Sequence, residues 1–262
     1  CRNLNACGIL SENDAYDKFS DSEPFFDNCI FDNVRTGVSF TSFNDYDFAF
    51  RGCLFRKCGS GICCSRGNFY ASCCGIECSR GNFYVQDCRF ERNGVDVIAN
   101  VPEHGSSIRR SVSVGSRTFF QGKVGVAGIT IENCTVRGSS CTGITLGKYG
   151  DEFDNFSDVS QFYVDTIARA AKNGLDRVGY HAIRNCRIYD CGQAGICGSL
   201  GAVFSTVEDC EIYECHWKKP FGGAEMAGIK IHGAVDFTIA RCRIHHCGHS
   251  GGIWLDWMAQ GT

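Results

Sequence analysis

"NCRIYDCGQAGICGS", Asn185 to Ser199, is the stretch whose reading decides the fold. It runs Cys, any residue, an apolar residue, two more residues and a second Cys, then Gly and a short apolar strand. The phrase recurs as "GCLFRKCGSGICCS" from Gly52, "DCRFERNGVDVIA" from Asp87, "DCEIYEC" from Asp209 and "RCRIHHCGHSGGIWLD" from Arg241, with weaker copies "NCIFDN" and "NCTVRG". Cys29 and Cys53 are 24 positions apart, as are Cys186 and Cys210, whereas Cys210 to Cys242 is 32, one turn plus an insertion.

A repeat of about 24 residues with short period-2 strands and glycine at the corners is what a parallel β-solenoid needs. Each coil buries alternate side chains inside a narrow prism, and the next coil stacks about 4.8 Å away, so equivalent residues form ladders. Leucine-rich repeats have a similar length, but their leucine-dense consensus is missing and the strands use Ile, Val, Phe and Cys. The expected fold is therefore all-β, a right-handed parallel β-helix forming a single domain over 1–262.

Composition narrows the function. Of 262 residues 44% are hydrophobic and 21% charged, ordinary for a folded protein. A net charge of −3 offers no basic stripe to neutralise phosphates, so no nucleic-acid partner is expected. No apolar run approaches the roughly 20 residues of a membrane span, and "CRNLNACGIL" lacks the pattern of a signal peptide. Both ends read as cuts through a longer protein. Oligomeric state is not legible.

The 20 cysteines, beside 32 glycines and 3 prolines, need a structural reason first. They read as small, buried, stackable residues at coil corners. Stacked pairs would also lie at disulfide-compatible separations, which leaves oxidation open. The pairs Cys63–Cys64 and Cys73–Cys74 and the string His245 to His249 lack zinc-site spacing, so neither metal nor cofactor is expected. Abundant cysteine without an evident disulfide framework leans toward a reducing, cytoplasmic location.

Two stretches interrupt the repeat. "GICCSRGNFY" from Gly61 returns as "GIECSRGNFY" from Gly75, too soon for a full coil, so one copy projects as a loop or hairpin. Over 147–181 the repeat gives way to a segment in which Phe162, Ile167 and Ala170 have helical spacing, with Ser157 to cap the start and Gly174 the end. A helix is expected around 157–173.

Aligning the glycine before each strand (Gly37, Gly61, Gly143, Gly195, Gly228 and Gly252) sorts the strand positions by parity. Ile229, Ile231, Ile253 and Leu255 point into the prism; the third and fifth positions point out. The fifth column reads Thr41, Ser65, Gly147, Ser199, His232, Asp256, and the third sets Lys230 beside Trp254. A carboxylate, an imidazole, an ammonium and an indole on one solvent-facing patch, with Glu225 on the approach, suit a sugar: an aromatic platform and charged groups for hydroxyls. The same spacing also fits a plain surface pair of Asp and His.

At these residues the chain resembles the family 120 glycoside hydrolases, β-xylosidases built on a right-handed β-helix. The resemblance runs from about 128 to 262 and is carried by "GITLGKYGDEFDN", "HAIRNCRIYDCGQAGICGSLGAVFS", "GGAEMAGIKIH" and "GIWLDWMAQGT". It implies a retaining, exo-acting hydrolase of short β-linked xylo-oligosaccharides. It places the nucleophile at Asp256, within the LDW motif, and a sugar-binding role at Glu225, within AEMAG; Lys230, His232, Trp254 and Trp257 complete the expected substrate site. In that family the acid/base glutamate lies on the coil after LDW, and this chain stops six residues after Asp256. "HCGHSGGIW" also looks longer than the family's approach to that strand, which would shift Asp256. Two other readings remain: a carbohydrate-binding or scaffold β-helix without turnover, and a polysaccharide lyase, for which the fifth column supplies only one Asp.

Overall fold

The computed structural model describes residues 2–11, 25–40, 48–67, 76–77, 82–99, 105–122, 126–147, 178–220, 225–248, 251–256 and 259–262. The chain winds a right-handed parallel β-helix. Eight coils each contribute a first strand to one parallel stack: Phe25–Asp27, Phe48–Arg51, Phe83–Gln86, Ser107–Arg109, Thr130–Glu132, Ala182–Arg184, Thr206–Glu208 and Thr238–Ala240. Numbered in this order, each coil adds a second strand, such as Arg187–Tyr189 in coil six, and a third, such as Ile196–Gly198. A further strand, Arg2–Ser11, pairs in parallel with Ile30–Phe40, which itself spans the second and third stacks of coil one.

Parity places the core as the alternation predicts. The first stack buries Phe50, Val85, Ile108, Ile131, Ile183 and Val207; the third buries Val38, Val97, Phe120, Ile144, Ile196 and Ile229. In the early coils the interior is a column of parallel rings, with Phe31 4.8 Å from Phe55 and Phe55 5.2 Å from Phe90. Later coils replace these rings with Ile and Val, each worth roughly 1.5–3 kcal/mol when removed from water.

The corners explain the cysteines. The residue between first and second strands takes left-handed backbone in every coil, from Asn28 (φ 53°) to Arg241 (φ 53°). The next residue points inward, and its hydrogen can reach the carbonyl two residues back. Cys134 donates to Glu132 O at 3.3 Å and to Ile108 O of the preceding coil at 3.6 Å; Cys186 repeats both contacts with Arg184 O and Ile131 O. Coil four has Ser111 at this place, donating to Arg109 O at 2.9 Å. The corner cysteines, such as Cys53, Cys134, Cys186 and Cys210, are free thiols that serve as compact inward donors and are buried.

The marker glycines have a steric cause. A Cβ on Gly228 would sit 2.6 Å from Gly252 O and 2.7 Å from Ile244 Cγ2, so only glycine lets adjacent coils close at this point. Coils three and four set Asp96 and Phe119 in the same register. Asp96 is fully buried and accepts from Ser113 Oγ (2.5 Å), Ser116 Oγ (2.6 Å) and Asn93 Nδ2 (2.9 Å), a polar knot inside the prism.

The duplicated stretch resolves as a hairpin. Ser60–Gly67 continues the third stack, and Ile76–Glu77 turns back to pair with it antiparallel, Ser65 opposite Glu77. The 32-residue coil carries its extra length between Glu211–Tyr213 and Ile229–His232. The expected helix, its caps Ser157 and Gly174, and Trp257 lie outside the described residues.

Candidate functional site

The third strands of coils seven and eight, Ile229–His232 and Ile253–Asp256, pair in parallel with Lys230 opposite Trp254 and His232 opposite Asp256. The approach to the last strand does not disturb that pairing. Asp256 is further held by its backbone, since Gly233 N–H donates to Asp256 O at 3.0 Å, and the chain beyond it returns to bridge Gln260 with Val235.

Four ionisable side chains meet here. Lys230 Nζ donates to Asp256 Oδ2 at 2.7 Å and lies 3.3 Å from the centroid of the Trp254 ring. His232 Nε2 donates to Glu225 Oε1 at 2.6 Å, and its Nδ1 is 3.6 Å from Asp256 Oδ2. A carboxylate only accepts, so ionised Glu225 requires the ring proton on Nε2 and points Nδ1 toward Asp256. Cys197, one coil below Lys230, donates its thiol to Glu225 Oε2 at 3.9 Å. Glu225 enters the strand from left-handed backbone, φ 64°.

Burial departs from the solvent-facing patch that parity suggested. Glu225 and Lys230 are each 1% exposed and His232 is 7% exposed, whereas the Asp256 side chain keeps 27% of its surface. An outward strand position is therefore not an open one: these three side chains are covered, and Asp256 is the group of the four that solvent reaches. Burial pulls the Lys230 pKa below the usual lysine range, opposed by its hydrogen bond to Asp256 and the charge of Glu225. Ile253, expected inside the prism, is 47% exposed, while Leu255 packs against the core.

Cys197 was not singled out among the candidate residues. It stands in the same outward column as Lys230 and Trp254, and that alignment is the signal that would have found it.

The continuous parallel ladders settle the architecture, and comparison with known families agrees: the pattern of the family described as "Right handed beta helix region" matches residues 120–256. The chain belongs to the right-handed β-helix family. Among solved structures, "The complex structure of XylC with xylose" is similar to this β-helix at 31% sequence identity and a TM-score of 0.48, covering 71% of this chain and 30% of that one. The β-helix thus spans less than a third of the length of that protein. No curated protein matches it.

Proposed function

We propose that this β-helix is carbohydrate-active and, more finely, that it carries the nucleophile of a retaining exo-β-xylosidase of the family 120 type. One observation carries the reading: the Asp256 carboxylate is held at 2.7 Å by the buried ammonium of Lys230, with Trp254 and His232 in the paired outward positions of the same two strands. A buried ammonium favours the ionised carboxylate, the form that can attack an anomeric carbon. In the proposed step a carboxylate oxygen bonds to that carbon as the glycosidic bond breaks and the leaving oxygen takes a proton. Water then hydrolyses the glycosyl ester. Trp254 supplies an aromatic face for the sugar ring, beside the face that Lys230 occupies.

Glu225 does not suit the part of general acid. It is buried, and His232 stands between it and Asp256. In this reading Glu225 acts on the site through His232, Lys230 sets the charge of Asp256, and the acid/base glutamate comes from the coil that the resemblance places after LDW. Trp257 belongs to the proposed sugar site on sequence grounds.

The test uses a substrate that needs no acid. A 2-deoxy-2-fluoro-β-xyloside with a dinitrophenyl leaving group should label the protein covalently, and peptide mass spectrometry should find the label on Asp256 and none in Asp256→Asn. Xylose binding without any label would favour a second reading, a sugar-binding β-helix without turnover. In that reading Glu225, Lys230 and His232 form a buried structural network, and recognition falls to Trp254 and Asp256.

A further inference from the structure

A second place on the coil surface has the make-up of a ligand site. On the outer face of the second stack, coils two to four border an open cleft of about 350 Å³ lined by Arg56, Lys57, Arg89, Glu91, Arg92 and Val114. That volume lies at the small end of the range of ligand pockets. Its origin is a break in the repeat. Arg56, Glu91 and Val114 occupy equivalent strand positions, and the left-handed corner residues that follow are Lys57, Arg92 and Gly115. Where two coils project long charged side chains, the third presents a valine and a glycine, and the difference in reach leaves the hollow.

Four of the lining residues are cationic and one is acidic. Arg56 bonds Asp32 through Nε (3.1 Å) and Nη2 (2.6 Å), and Arg89 bonds Glu91. Lys57 and Arg92 make no ion pair with a described residue. Both salt bridges are partly exposed, where solvent and salt screen them, so an incoming anion can compete for them. Guanidinium forks match the two oxygens of a carboxylate or a sulfate, and Val114 in the lining suits the flat apolar face of a ring.

We propose that this cleft binds an oxyanion carried on a small ring, of the kind borne by uronic acids and sulfated sugars. That the ring is a sugar rests on the function proposed above; that the cleft takes an oxyanion does not.

Titration of the full chain with glucuronate, glucose and inorganic sulfate, followed by NMR or calorimetry, tests both parts. Glucuronate should bind and glucose should not, and Lys57→Glu with Arg92→Glu should weaken glucuronate by about tenfold or more. Both side chains are exposed, so the fold should survive, as an unchanged melting temperature would verify. Gly115→Asn, which keeps a left-handed residue and sets a side chain against Arg92 without changing charge, should weaken binding too. Sulfate binding as tightly as glucuronate would support the site and assign it to the oxyanion alone. Glucuronate binding no better than glucose, or unchanged by the double substitution, would overturn the proposal, whatever happens at Asp256.

Discussion

The ammonium of Lys230 lies 2.7 Å from the carboxylate of Asp256, and of these two only the carboxylate reaches solvent. The pair is an asymmetric one: a buried cation facing a carboxylate that can exchange its solvent for a ligand. Stability alone does not require such an arrangement, since desolvating the lysine offsets much of the attraction.

Lys230→Met should therefore affect chemistry more than folding. Without the ammonium, the Asp256 carboxyl protonates more readily, and labelling of Asp256 by the fluoroxyloside should slow by about one to two orders of magnitude. The acid limb of its pH profile should move to higher pH. An unchanged limb would make Lys230 a packing residue only.

Asp96 predicts a pH dependence of stability. Burial pushes its carboxyl from the usual 3.8 to about 7, against the pull of its three hydrogen-bond donors. Between about pH 4 and 7 the unfolded chain has lost this proton and the folded one keeps it, so stability falls as pH rises through that window and is level above it. The full difference amounts to roughly 4 kcal/mol at most. Asp96→Asn should flatten the slope and raise the melting temperature at pH 7.5; melts from pH 4 to 8 check this.

The corner cysteines should accept serine. Cys134→Ser keeps the donor toward Glu132 O, as Ser111 does naturally in the neighbouring coil, whereas Cys134→Ala leaves a buried carbonyl without its thiol contact. In urea denaturation the alanine variant should be less stable than the serine variant by about 1 kcal/mol. Equal losses would show the column to be a matter of volume.

Gly228→Ala should separate coils seven and eight where the site is built. With Gly252 O only 2.6 Å from the new Cβ, the strands must move apart, at a cost of about 1–3 kcal/mol. Because Lys230 follows two residues later, labelling at Asp256 should fall as well. Retained labelling with full stability would mean that the coils can slide without consequence.

Much was legible in particular residues. The spacing of Cys186, Cys210 and Cys242 carried the coil length and the insertion, and the Gly228–Gly252 alignment set His232 against Asp256 before any coordinates. The duplication at Gly61 and Gly75 announced a loop or hairpin but not which copy leaves the stack; antiparallel pairing of Ser65 with Glu77 needed the partner strand in place.

Periodicity by itself determined that this protein is a β-helix, which residues enter the prism and which side chains are neighbours between coils, because stacking repeats one local rule. Only the tertiary structure decided that Glu225, Lys230 and His232 are covered, that Asp96 closes a polar knot across two coils, and that Val114 lies beside four cationic side chains in one cleft. The physical reason is that strand parity specifies the side of a sheet a residue faces, whereas burial, charge pairing and cavities depend on what the rest of the chain lays against that side.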